Sequence, residues 1–183
     1  MIPKGLGMFE SIKEAQYAVK NNFSAGNLDP ALIRPWMSIR YISSAYAVPQ
    51  EYIFTQLGVQ PGKDTSLIAI ERLDKTRRFS MRNKTFTMIP KVQKAIVDYR
   101  ANPVATGLIE QRAEDWMTIQ YIANSTGVSA DEIMKAIGLP VDGNLNKPLG
   151  FLSDEQKFTG GKNALLKAVN DFLTAQGKVP AQP

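Results

Sequence analysis

Trp36-Met37-Ser38-Ile39-Arg40-Tyr41-Ile42 recurs 80 residues later as Trp116-Met117-Thr118-Ile119-Gln120-Tyr121-Ile122. At the same offset Val48 meets Val128, Ile53 meets Ile133 and Gly58 meets Gly138. Eight of the 23 paired positions are identical, and both tryptophans of the chain are among them. Self-similarity at a single offset is the signature of a duplicated structural unit. Further out the pairing continues with shifts. Leu67 pairs with Leu149 at offset 82, and 94–99 pairs with 167–172 at offset 73. That fall in offset puts nine additional residues in the first copy, near 75–90.

Within the second copy the periodicity is helical. Ile119, Ile122 and Ala123 share one face. Asp115 or Thr118 is placed to cap this helix, and Gly127 to end it in a left-handed conformation. Ser129 with Glu132 reads as the capping box of a second helix, whose apolar face is Ile133, Ala136 and Ile137. Gly138 and Pro140 end that helix. The first copy follows the same plan, with Pro49 opening its second helix, where a missing N–H is harmless. It differs at Ala47, which stands in the place of Gly127 and must avoid or tolerate positive φ.

Each copy closes with an amphipathic helix. Val92, Ala95, Ile96 and Tyr99 form the stripe of the first, and Leu165, Leu166, Val169, Phe172 and Leu173 that of the second. A preceding helix over about 9–21 offers Phe9, Ile12, Ala15 and Val19.

The expected fold is all-α: two repeated helix-turn-helix-like units plus an N-terminal helix. Residues 1–30 are the N-terminal helix and linker, 31–102 the first unit, 103–176 the second and 177–183 a disordered tail. In the first unit's insertion, Phe79, Met81, Phe86 and Met88 alternate with polar residues, a pattern compatible with a short β-hairpin turning at Asn83-Lys84. Each half alone has a thin core, so the halves are expected to pack together. The two Trp-Met pairs are expected in that core, with the Tyr41 and Tyr121 hydroxyls at its rim.

Ser43, Ala47, Val48 and Ile53, and again Ala123, Gly127, Val128 and Ile133, have a spacing that resembles the helix-turn-helix module. The longer pattern Trp-Met-Ser/Thr, Tyr-Ile, Gly-Val, Leu-Gly is similar to helical modules in poorly characterised bacterial proteins. The helix-turn-helix resemblance implies either DNA binding or a compact motif that binds only protein. Recognition helices read bases with Arg, Lys, Asn or Gln. Here the second-helix surfaces offer Gln50, Tyr52, Phe54 and Gln56 in the first unit. The second unit offers Lys135 beside Asp131 and Glu132.

The composition removes the common catalytic designs. There is no cysteine and no histidine, so thiol chemistry, cysteine-based zinc sites and the usual imidazole base are absent. Neither an enzyme activity nor a cofactor nor a metal site is expected. Asp142-Gly143-Asn144-Leu145-Asn146 lacks the full ligand spacing of a calcium loop, and Gly160-Gly161-Lys162 reads as the start of the last helix.

Net charge is +5 with a pI near 9.4. No acid lies between Asp74 and Asp98, where Lys75, Arg77, Arg78, Arg82, Lys84, Lys91 and Lys94 fall. With Phe79 these residues suit phosphate contact and base stacking, and equally an acidic protein surface, anionic lipid or a solvated insertion. The leading expectation is a non-catalytic tandem helical module that binds a protein partner as an adaptor or structural subunit. Nucleic-acid binding through the same basic residues is the alternative, and a peripheral anionic surface the third. No apolar run reaches membrane-spanning length, and a cytoplasmic location is expected.

Overall fold

A computed structural model describes residues 12–23, 26–76, 88–107 and 112–179. The expected hairpin turn and Phe9 lie outside the described residues. The architecture is all-α. Helix α1 is Ile12–Lys20. The first segment contributes α2 (Ile39–Tyr46), α3 (Gln50–Leu57), α4 (Ile70–Thr76) and α5 (Met88–Ala101). The second contributes α6 (Ile119–Thr126), α7 (Ala130–Ile137), α8 (Leu149–Glu155) and α9 (Gly161–Ala175). None of these helices is long and apolar enough to cross a membrane.

Matching residues make matching local contacts in the two segments. Ser38 Oγ accepts the Tyr41 N–H at 3.1 Å, and Thr118 Oγ1 accepts the Tyr121 N–H at 3.0 Å. These bonds satisfy N–H groups that a helix start leaves without an intrahelical partner. Both helices end in a left-handed residue, Ala47 at φ 54° and Gly127 at φ 75°. The alanine therefore tolerates positive φ rather than avoiding it. Ser129 makes no side-chain capping bond and Glu132 is exposed, so the capping box does not form. Asp131 and Glu132 instead favour the positive end of the α7 dipole.

Backbone hydrogen bonds correct the outer pairing. Ile70 N–H donates to Met37 O and Leu149 N–H to Met117 O, beside isolated bridges of Ser38 to Ala69 and Thr118 to Pro148. Ile70, not Leu67, thus takes the place of Leu149, at offset 79. Leu67 closes a short 3-10 turn instead. With the closing helices still at offset 73, the first segment carries six additional residues rather than nine. Apolar matching alone permits either register, and the hydrogen bonds to Met37 and Met117 select one.

The closing helices cover the helix pairs. α5 packs on α3 and buries Val92, Ala95, Ile96 and Tyr99. α9 packs on α7 and α8 and buries Leu165, Val169 and Leu173, with Leu166 and Phe172 half-buried. Residues from both segments join one hydrophobic cluster. Met37, Met117 and Trp116 are buried in it, while Trp36 is half-buried between the Tyr17 and Tyr41 rings. Tyr41 and Tyr121 lie inside the core rather than at its rim.

Two expectations at the chain ends change. On α1, Val19 is 76% exposed and Ala18 is buried, while the side chains of Ile12 and Ala15 lie outside the described residues. Tyr17 anchors this end of the helix: its ring meets Phe23 and Trp36 edge-on and its hydroxyl donates to Leu32 O at 2.8 Å. At the other end, Lys178 N–H closes on Leu173 O and Val179 packs against the core. The packed chain therefore extends two residues past Gly177, into the expected tail.

Candidate binding cleft between the two segments

Helices α2 and α6 bring the segments together. The stripe that does this on α2 is Arg40, Ser44 and Ala47, at helical spacing. Small residues at two of these positions let the partner backbone approach. Ser44 Oγ donates to Trp116 O at 2.8 Å in a buried bond. Asn124 Nδ2 donates to Ala47 O at 2.6 Å, and Gln120 Nε2 donates to Asn124 Oδ1 at 2.9 Å, which orients the Asn124 amide.

One turn before Ser44, the Arg40 guanidinium carbon lies 5.2 Å from the centroid of the Trp116 ring. This is cation–π geometry, favourable by about 0.5–1 kcal/mol at an exposed site and more when desolvated. The indole N–H of Trp116 donates to Glu114 Oε2 at 2.6 Å, which holds the ring plane. Beside this stack is a cleft of about 350 Å³. Arg40, Gln50, Phe54 and Lys63 line it from the first segment, and Trp116 and Met117 from the second. Among the described residues, Arg40 Nε is buried and meets no hydrogen-bond acceptor.

Two tyrosines near the contact are held protonated. Burial, and secondarily the neighbouring Tyr52, pushes Tyr99 up to about 12. Burial also raises Tyr46 well above the ordinary tyrosine value, reinforced by Tyr17 and partly opposed by Arg100. Both hydroxyls serve as donors, Tyr46 to Asp29 O at 3.0 Å and Tyr99 to Asn124 O at 3.4 Å.

The residues expected to bind a partner fall into four groups. Gln50 and Phe54, expected on the α3 surface, are only 8% and 3% exposed. They share the inward side of α3 with Ile53 and Leu57, and both line the cleft. Tyr52 is half-buried with its ring 5.0 Å from that of Tyr99. Gln56 and Lys135 are exposed as expected. Lys91 and Lys94 lie on one exposed face of α5 with Val97, and Lys94 pairs with Asp98. Arg77, Arg78, Phe79, Arg82 and Lys84 lie outside the described residues, as does the side chain of Lys75.

Arg40 was not among the residues expected to bind, and Trp116 was expected in the core, where it is buried while also lining the cleft. A signal existed. In the repeated seven-residue stretch only two positions differ, and Arg40 against Gln120 is the one that changes charge. Comparison with family models, with curated proteins and with solved structures finds no match to this chain.

Proposed function

We propose that the protein is a non-catalytic helical interaction module, an adaptor or structural subunit that receives a segment of a partner protein in the cleft between its two segments. The observation that carries this reading is the cleft itself. It joins aromatic and apolar walls from Phe54, Trp116 and Met117 to polar groups from Arg40, Gln50 and Lys63. The surface it presents is mostly polar, with aromatic and apolar side chains beside the charged ones, a lining that suits a polar or charged segment of chain. Its volume suits one or two side chains of a partner rather than a folded domain. The α7 surface supports the same choice, because Asp131 and Glu132 are both exposed there and would repel phosphates.

Affinity purification with wild-type protein and with Ser66→Trp, a substitution that fills the cleft from its edge, tests this reading. The wild type is expected to retain a protein partner and the variant to release it. Equal retention by both would move the interface elsewhere. Tight duplex DNA binding with no protein partner would overturn the reading.

One observation favours nucleic acid as a second reading. Lys91 and Lys94 lie side by side on the exposed face of the helix that follows the basic stretch 75–84. In this reading the basic residues supply affinity and the helix-turn-helix-like pairs supply placement. A mobility shift at low salt that weakens with added salt, and on changing Arg77, Arg78, Arg82 and Lys84, would support it.

A further inference from the structure

We infer that the partner segment this cleft accepts is acidic: a carboxylate side chain seated on Arg40, with an adjoining apolar side chain against Phe54 and Met117. This rests on the protein-binding reading above and names the chemistry of its partner.

Among the described residues, Arg40 Nε is buried without an acceptor. A buried N–H without a partner is costly, and more so on a charged group. The guanidinium lines the cleft and offers a rigid fork of donors that matches a carboxylate; Nε itself is shut off by the protein, so an arriving Asp or Glu pairs with the charge and the terminal N–H groups. The fork is preorganised. Trp116 lies under it, the indole is tied to Glu114, and the Trp116 carbonyl is tied to Ser44. Little side-chain entropy is then lost on binding.

Charge and shape agree with this occupant. Arg40 and Lys63 outnumber Glu51 in the cleft wall, so the cleft carries a net positive charge. Phe54 and Met117 provide apolar surface for the neighbouring side chain. The second segment does not repeat this chemistry. Gln120 stands where Arg40 does and is spent on Asn124, while Ala130 and Met134 replace Gln50 and Phe54.

The test uses the full chain and two peptides, acetyl-Leu-Asp-Leu-amide and acetyl-Leu-Asn-Leu-amide, which differ by one charge. Binding is read by NMR at the Arg40 Nε–H and the Trp116 indole N–H. The Asp peptide is expected to bind roughly tenfold or more tightly than the Asn peptide, the scale of a hydrogen bond to a charged group. Both signals should move. Arg40→Met is expected to abolish the difference, and Arg40→Lys to keep part of it.

Equal binding of the two peptides, both weakened by Phe54→Leu, would overturn the acidic partner while leaving a protein-binding cleft. No movement of either signal with the Asp peptide at about 1 mM, a concentration that detects even weak association, would also overturn it. The wild-type comparison needs no substitution, so a variant that fails to fold leaves the outcome readable.

Discussion

Ala47 and Gly127 end the first helix of their pairs in the same left-handed conformation, yet only the second is a glycine. The flanking caps, Ser38 and Thr118, are equivalent, and Gly58 and Gly138 end the second helices alike. The pairs part company in what surrounds them. The Arg40, Gln50 and Phe54 side of the first pair faces the second segment across a cleft. The second pair keeps its corresponding Gln120 in a closed amide network, and the outer face of α7 carries Asp131, Glu132 and Lys135 into solvent. Local chemistry thus makes two similar helix pairs, and the packing context sets α3 of the first pair, but not α7 of the second, against this cleft.

The largest effects are expected in the core. Ile53 and Ile133 hold matching, fully buried positions. Ile53→Ala and Ile133→Ala are each expected to destabilise the protein by about 2–5 kcal/mol in denaturant unfolding. Because both segments share one hydrophobic cluster, each variant should lower a single transition. Two separated transitions would show that the segments fold independently.

The closing helices differ in a titrating group, Tyr99 on α5 against Phe172 at the same place on α9. The Tyr99 value is raised from 10 to about 12, so folding favours its protonated form. Its contribution is fully present below the unfolded value near 10 and is lost as pH rises through 12. The loss is on the order of 2–3 kcal/mol at complete ionisation. Thermal unfolding between pH 9 and 12 should show a steep fall (roughly that window follows from the tyrosine values). Tyr99→Phe, which makes α5 resemble α9, should flatten the part of it that Tyr99 contributes.

Asn124→Ala removes the amide that ties the segments at Ala47 O. A stability loss of about 1 kcal/mol is expected, together with broadening of the Trp116 indole signal if the contact orders the cleft. The smallest effects belong to the helix ends. Gly127→Ala is expected to cost about 1 kcal/mol, because its positive φ then carries a Cβ. The Cβ itself has room, with Ala105 at 3.4 Å. Ala47→Gly is expected to change stability by no more than about 0.5 kcal/mol in the favourable direction, since relief of strain is offset by a freer unfolded chain. Opposite signs for the two substitutions, measured by denaturant midpoint, would show that the two ends are equivalent.

Much of this arrangement was legible along the chain. The helix pairs, the Thr118 cap, the left-handed exit at Gly127 and the buried stripes of α5 and α9 depend on residues within a few positions of one another. Such features follow from periodicity and capping. The exposure of Val19 on α1 was not legible, because Tyr17 anchors this end of the helix through contacts with Phe23, Trp36 and Leu32. The register of Ile70 against Leu149 was not legible either, since hydrogen bonds to residues more than thirty positions away decide it.

By itself, then, the sequence determined the helical character, the repeated motif and the exclusion of histidine and cysteine chemistry. Each of these is a property of residue types and short spacings. Tertiary structure alone decided that Gln50 and Phe54 face inward, that Arg40 stacks on Trp116, and that the two meet at a cleft. The physical reason is distance in sequence. Arg40 and Trp116 lie far apart along the chain, and the packing of α2 on α6 brings that guanidinium over the indole beside the cleft.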